Sequence, residues 1–239
     1  MTVLAIDATG LAASVALVSE EKTIAEFTLN HDMTHSQTLM PLVEKMTAML
    51  DYDLAAVDCI ACASGPGSFT GLRIGAATAK GLAYALDKKI APVPTLDALA
   101  YNVFDSGAVI APIMDARRNQ VYAALYQWDN GILVRLTKHM AEDIAVILDM
   151  ARQFERTVFL GDGVPVHEGL LRAESRFVIA PPHLNAQRAA AVGAYTLSMV
   201  PEVEWVTADE FEPVYLRLSQ AEREAKEREK AAGGQSGAN

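Results

Sequence analysis

ACASGPGSFTGLRIGAATAKGLAYAL, residues 61–86, decides how the 239-residue chain is read. It predicts strand, loop and helix without a gap. Asp58-Cys59-Ile60-Ala61-Cys62-Ala63 is short, apolar and built of small side chains, as in a strand covered on both faces. Gly65-Pro66-Gly67 then breaks regular structure, because glycine opens positive φ and proline restricts the residue before it. Ser68 or Thr70 can cap the helix that follows. From Gly71 small residues recur every fourth position, as Gly71, Gly75, Ala79 and Ala83, and form one bare strip along a helix face. Such a strip lets a neighbour approach at the near end of the ~8–10 Å range of helix packing. Periodicity leaves two readings, the chain's own sheet or a helix of another subunit, and favours the first.

Outward from this centre the chain repeats one order of elements. Residues 3–7 form a short apolar strand ending on Asp7, followed by the turn Ala8-Thr9-Gly10 and strands at 13–18 and 23–29, a meander. An amphipathic helix then puts Leu39, Leu42, Val43, Met46, Met49 and Leu50 on one face, with Pro41 bending its start. After the centre come a strand at 90–93 and a helix at 96–103. At Ala108 the order restarts, with strands at 109–115, 120–128 and 132–137 and Asp129-Asn130-Gly131 as a hairpin turn. A helix at 141–152 and a strand at 157–160 lead into Gly161-Asp162-Gly163, and a helix at 186–199 crosses back. The expectation is an α/β protein of two βββαβα halves, the duplicated actin-like ATPase, ribonuclease H-like plan with a ligand cleft between them. The halves are expected at 1–105, joined by helix 186–199, and at 106–218. Residues 219–239, which include AEREAKEREK, are expected to be a charged flexible tail.

The composition, 51% hydrophobic and 21% charged, is globular. A net charge of -10 repels phosphate backbones, so contact with nucleic acid needs a basic partner. Cys59 and Cys62 give C-x-x-C, but on a strand, without the helix N-terminus of a redox pair or further zinc ligands. Buried thiols in a reducing cytosol are expected. The first residues lack a basic leader, and no apolar run approaches the ~20 residues of a membrane helix. The expectation is a cytoplasmic protein with no membrane contact.

Asp7 with Thr9 stands where an actin-like protein places a Mg²⁺-organising carboxylate and a phosphate-contacting hydroxyl. Asp115 occupies the equivalent place in the second half. Aspartates after strands also bond their own turns, which is the competing explanation. The loop 65–71 offers backbone N–H groups to an anion at a helix start, yet it lacks the Lys-Ser/Thr of a P-loop, and a tight turn explains its glycines equally well. Asp7, Thr9, Gly65, Gly67 and Asp115 are therefore the candidates for a weakly held ATP or ADP with Mg²⁺, in the cleft or at a subunit boundary. His31 and His35 have i, i+4 spacing but lie in a link, where capping and surface roles fit better than a metal. No catalytic nucleophile arrangement emerges, and no metal ligand set.

Ile6-Asp7-Ala8-Thr9, His35-Ser36-Gln37, the block GPGSFTGLRIG from Gly65 to Gly75, Asp115-Ala116-Arg117, Val121-Tyr122 and Pro213-Val214-Tyr215-Leu216-Arg217 together resemble the bacterial TsaB (YeaZ) family. The resemblance covers the whole chain up to Gln220. It implies a non-catalytic scaffold and activator in the machinery that makes N6-threonylcarbamoyladenosine at position 37 of tRNA. The family is a degenerate paralogue of the catalytic subunit TsaD, with which it forms a heterodimer joined by the small ATPase TsaE. tRNA is met only through the complex, and the chain alone is expected to form a homodimer. The metal-binding His-Leu-Glu-x-His of the paralogue would fall on Thr95-Leu96-Asp97-Ala98-Leu99, where both imidazoles are missing, so this chain needs no cofactor of its own. The resemblance also turns the bare strip outward. The expected partner interface is His35, Leu39, Met40, Val43, Met46, Thr70, Gly71, Ile74, Gly75, Thr78, Ala79 and Leu82. The alternative is an active actin-like enzyme, a phosphotransferase or a metal-dependent glycopeptidase-like hydrolase.

Overall fold

The computed structural model describes residues 1–31 and 33–217, so the tail expected at 219–239 lies outside the described residues. In the first half, β1 (Thr2–Asp7), β2 (Ala13–Ser19) and β3 (Thr23–Leu29) form the antiparallel meander, and α1 (His35–Leu50) runs through Pro41 without a break. Strand β4 (Cys59–Gly65) is buried along all its length, as its apolar run requires. Helix α2 (Phe69–Leu86) then carries the chain to β5 (Ile90–Pro94) and the short α3 (Thr95–Ala100). The sheet order is β3-β2-β1-β4-β5, and β4 is parallel to both its neighbours because α1 and α2 supply the crossovers.

The second half contains β6 (Val109–Asp115), β7 (Gln120–Ala123), β8 (Tyr126–Asp129), β9 (Ile132–Arg135), β10 (Met140–Asp143), α4 (Ile144–Ala151), β11 (Thr157–Leu160), α5 (Val164–Arg172) and β12 (Phe177–Ile179). Its order, β10-β7-β6-β11-β12, repeats that of the first half, so the duplicated actin-like plan is present, with β8 and β9 added as a hairpin. Two sequence expectations change. The strand expected at 120–128 is broken, because the Leu125 N–H donates to Thr137 Oγ1 at 2.9 Å and the Leu125 carbonyl accepts from the Leu136 N–H at 2.7 Å. The third strand of the repeat is β10, not 132–137. The helix expected at 141–152 overlaps it, but Asp143 caps that helix by accepting the Ala145 N–H at 2.9 Å, which starts it at 144 and leaves Met140–Asp143 to pair with β7. Helix α5 and strand β12, which the sequence pattern does not signal, complete the half.

Helices α1 and α2 cover one face of the first sheet around Leu4, Ile6, Leu39, Val43, Met46 and Ile60. The other face is covered by α6 (Ala189–Ser198), whose Ala189 and Val192 meet Ala5, Ala16 and Val18. Helix α3 lies between the halves, with Ala98 in the first core and Leu96 and Leu99 in the second. The last described segment was expected with the second half but returns to the first. Ile90 and Val206 exchange main-chain hydrogen bonds at 2.9 Å each way, and Phe211 is buried beside α2.

Candidate functional site

The two halves turn the same corner at the end of their first strands. Asp7 Oδ1 accepts the Thr9 N–H at 2.9 Å and the Thr9 hydroxyl at 2.7 Å, and Asp115 Oδ1 accepts the Arg117 N–H at 2.8 Å. Asp162, just after β11, accepts the Asp115 N–H at 3.0 Å. Both candidate carboxylates thus bond their own turns. The first turn is covered. Thr9 is 1% exposed, and the buried Gln187 lies so close over Gly10 that a Cβ there would stand 2.1 Å from Gln187 Oε1.

Burial pushes the Asp7 carboxyl up to about 6 against the two hydrogen bonds from Thr9, and nearby Asp162 adds to the rise while His35 opposes it. Burial raises Asp162 as well. The sign follows from the raised value. The contribution of Asp7 to stability is full below its ordinary value of 3.8 and is lost as pH rises through about 6. Asp7→Asn is therefore expected to stabilise the fold at pH 7.5 by about 1–3 kcal/mol, an advantage that fades toward pH 4. Urea midpoints at the two pH values check this, and equal differences would show an ordinary carboxyl.

The glycine loop after β4 is a tight turn in which the N–H groups of Gly65, Ser68 and Gly71 are used within the chain. Gly65 sits at φ +120°, and its N–H donates to Thr95 Oγ1 at 3.1 Å. The Ser68 N–H donates to the Thr9 carbonyl at 2.7 Å, and the Gly71 N–H donates to the Ser68 hydroxyl at 3.3 Å, so Ser68 caps α2. A Cβ at Gly67 would lie 2.4 Å from the Thr9 carbonyl oxygen, which requires glycine where the loop meets the first turn. His35 Nε2 lies 2.9 Å from the Gly10 carbonyl, which fixes the start of α1 on the same turn. Cys59 and Cys62 are both buried, and burial pushes Cys59 up to about 12 and Cys62 higher still, so neither is a thiolate at neutral pH.

The bare strip of α2 faces inward, against the expectation that it meets a partner. A Cβ on Gly71 would lie 2.0 Å from the Ala8 carbonyl oxygen, and one on Gly75 3.4 Å from Ala8 Cβ and 3.9 Å from Cys62 Sγ. Ala79, Leu82 and Ala83 are buried with them, as are Leu39, Val43 and Met46 of α1. These positions form the core under the helices. Of the expected interface, Met40 and Thr70 are exposed, and His35, Ile74 and Thr78 are half-buried. The outer face of α2 carries a second set of small residues, Ala77, Gly81 and Ala85, beside Arg73 and the 82% exposed Tyr84. Gly81 has nothing within 4 Å of where its Cβ would be. On α1 the 45% exposed Met40 is followed by Glu44, Ala48 and the 78% exposed Met49.

A buried polar cluster lies where the halves meet, and sequence reasoning missed it because its members are far apart along the chain. Asp97 of α3 accepts the Tyr126 hydroxyl at 2.6 Å and the Tyr195 hydroxyl at 3.0 Å, and its Oδ1 lies 2.7 Å from His139 Nε2. Arg135 Nη1 approaches the same oxygen at 3.5 Å and His139 Nε2 at 2.9 Å. Burial alone would raise the Asp97 carboxyl, but the bonds from His139 and Tyr126 outweigh it and hold it below the ordinary value. Nearby, Thr95 is committed to Gly65, and Leu99 is buried in the second core. Among the described residues, no group of three or more His, Cys, Asp and Glu side chains could hold a metal ion, and no helix is long and apolar enough to cross a membrane.

Comparison with known proteins agrees with this architecture. The family described as "TsaD: tRNA N6-adenosine threonylcarbamoyltransferase" matches residues 22–200. The tRNA threonylcarbamoyladenosine biosynthesis protein TsaB of Bacillus subtilis is 40% identical over 174 residues, 72% of this chain and 75% of that protein. Its Escherichia coli namesake is 32% identical over 225 residues, covering 91% of this chain and 95% of the relative. The solved structure of YeaZ from Pseudomonas aeruginosa superposes with a TM-score of 0.75 at 31% identity, covering 90% of this chain and 99% of that one. With its duplicated sheet order, its glycine turn packed on the turn after the first strand and these relatives, the chain belongs to the TsaB (YeaZ) family of tRNA threonylcarbamoyladenosine biosynthesis proteins.

Proposed function

We propose that this chain is a non-catalytic scaffold and activator in the synthesis of N6-threonylcarbamoyladenosine at tRNA position 37. It pairs with the catalytic relative TsaD, and the ATPase TsaE joins the pair. The observation that carries the reading is the chemistry at positions 95 and 99, where the resemblance to the transferase would put metal-binding imidazoles. Thr95 spends its hydroxyl on the glycine turn, and Leu99 is core. Neither offers an imidazole nitrogen to a metal, so the metal-assisted step belongs to the partner. The cleft supports the same reading, since Gln187 covers the turn that a nucleotide phosphate would touch. The chain acts without a cofactor of its own, in the cytoplasm, and its charge of -10 leaves tRNA binding to the assembled complex.

The pairing surface in this reading is the outer face of α1 and α2, centred on Met40, Thr70, Ile74, Thr78 and the bare row Ala77, Gly81 and Ala85, which lets a partner helix come close. Without the partner, two copies pair through the same face. Gly81→Arg tests it. The side chain enters open space, and replacing a mid-helix glycine gains roughly 0.5–1 kcal/mol, so melting is expected unchanged or slightly raised. Co-purification with the transferase and modification of tRNA by the reconstituted system are expected to be lost. Retention of both, or threonylcarbamoyl transfer by the chain alone, would overturn the proposal.

A further inference from the structure

The hairpin β8–β9 has no counterpart in the first half, and its outer edge is unusual. The two turn residues, Asn130 and Gly131, have φ of 48° and 81°, the primed geometry of a two-residue hairpin. In such a hairpin the flanking residues, here Asp129 and Ile132, exchange both main-chain hydrogen bonds, and so does the alternate pair Gln127 and Val134. The Leu136 N–H donating to the Leu125 carbonyl at 2.7 Å continues the phase. The main-chain groups of Leu133 and Arg135 therefore point the other way, to the side of β9 that carries no strand among the described residues. Side chains alternate in the same rhythm. Leu133 packs into the second core and Arg135 reaches Asp97, whereas Ile132, Val134 and Leu136 stand outward, 66%, 39% and 41% exposed. Strand β9 has four residues, but its outward apolar row runs on to Leu136, and a free edge beside such a row is a template for another strand.

We propose that this edge is a self-association surface, occupied by β9 of a second copy in antiparallel pairing about a two-fold axis at Val134. The strand's alternation requires odd-numbered residues to meet odd-numbered ones, and among the registers that allow this the axis at Val134 pairs all three exposed apolar side chains. The outward main-chain groups of Leu133 meet those of Arg135 in the second copy, and the apolar side chains align as Ile132 with Leu136, Val134 with Val134 and Leu136 with Ile132. A slip by one residue would set outward amides against inward ones and place Ile132 opposite Arg135. Charge agrees as well, since antiparallel approach runs the acidic end at Asp129 toward Lys138 of the second copy. The surface lies on the second sheet, away from α1 and α2, so it is separable from the proposed pairing with the transferase.

The test uses the full chain carrying Gly81→Arg, which silences the helical face. Sedimentation is expected to show a monomer–dimer equilibrium whose dissociation constant rises at least ~tenfold on adding V134K, because like charges then face each other across the axis. An equimolar mixture of V134K and V134E chains is expected to restore pairing. In V134C the new thiols fall in a non-hydrogen-bonded pair, with Cβ atoms about 4.5–5.5 Å apart, so mild oxidation is expected to give a covalent dimer. The native Cys59 and Cys62 are buried and leave that readout clean. A chain that stays monomeric at every concentration would overturn the proposal. So would pairing indifferent to V134K, or V134C cross-linking only to other proteins.

Discussion

Gly71→Val will melt the protein well below the parent chain, whether or not a partner is present. The Cβ of any residue at 71 would lie 2.0 Å from the Ala8 carbonyl oxygen and 3.3 Å from His35 Cδ2, so backbone meets backbone and no rotamer relieves the clash. The first turn, the start of α1 and the start of α2 would have to separate together. Overpacking in a fixed environment costs about 1–3 kcal/mol, and the backbone contact puts Gly71 at the top of that range. For a chain of this size that is a fall of roughly 6–12 °C in melting temperature. Gly75→Leu is expected to fall less. Its first carbon fits at 3.4 Å from Ala8 Cβ, and only the branched end overfills the space above Cys62. Gly81→Arg, one helical row away, should melt like the parent, and circular dichroism melts of the three variants decide the matter. A native melt for Gly71→Val with pairing lost would mean that the strip faces a partner after all.

The contrast between Gly71 and Gly81 shows what the sequence can and cannot tell. A four-residue spacing of small side chains identifies a helix row that something approaches closely, but two such rows exist on α2 and spacing does not say which faces the sheet. The Gly71 row sits above Asp7-Ala8-Thr9, and that proximity joins residues more than sixty positions apart. Where pattern and local chemistry agree, the reading was good. The strand-turn-helix centre, the restart of the element order at Ala108 and the aspartates closing β1 and β6 were all legible, because apolar runs and turn residues are local signals. The second half was harder. A break at Leu125 depends on a Thr137 hydroxyl twelve residues away, and β10 was hidden because Met140–Asp143 runs straight into a helix whose start only the Asp143 cap marks. Asp97 looked like one residue of a vanished motif, and its four partners lie on β8, β9, the link to β10 and α6.

Those partners make Asp97→Asn a damaging change despite its conservative size. The tyrosine hydroxyls at 126 and 195 lie within 3.0 Å of the carboxylate oxygens, and Oδ1 also faces His139 at 2.7 Å and Arg135 at 3.5 Å. An amide places its own N–H₂ against one of these donors and removes the charge that balances Arg135. Breaking a buried charged cluster by removing one partner costs about 3–5 kcal/mol. Because the folded carboxyl is held below its ordinary value of 3.8, the stability it supplies is present above that value and lost as pH falls through the folded one. The gap between parent and Asp97→Asn, read from urea midpoints, is therefore expected to be wide at pH 7 and to narrow toward pH 3. Asp7→Asn should do the reverse, gaining at neutral pH. The two aspartates are both buried and differ in supply: Asp7 has Thr9 as its hydrogen-bond donor and His35 nearby to offset its burial, whereas Asp97 has two tyrosines, a histidine and an arginine. Asp97 also joins α3 to the added hairpin and to α6, so its loss should loosen one half against the other. Faster amide exchange in α3 and β8, with β1 and β4 still protected, would show that. A gap that is the same at pH 3 and pH 7 would mean that Asp97 packs there without its charge.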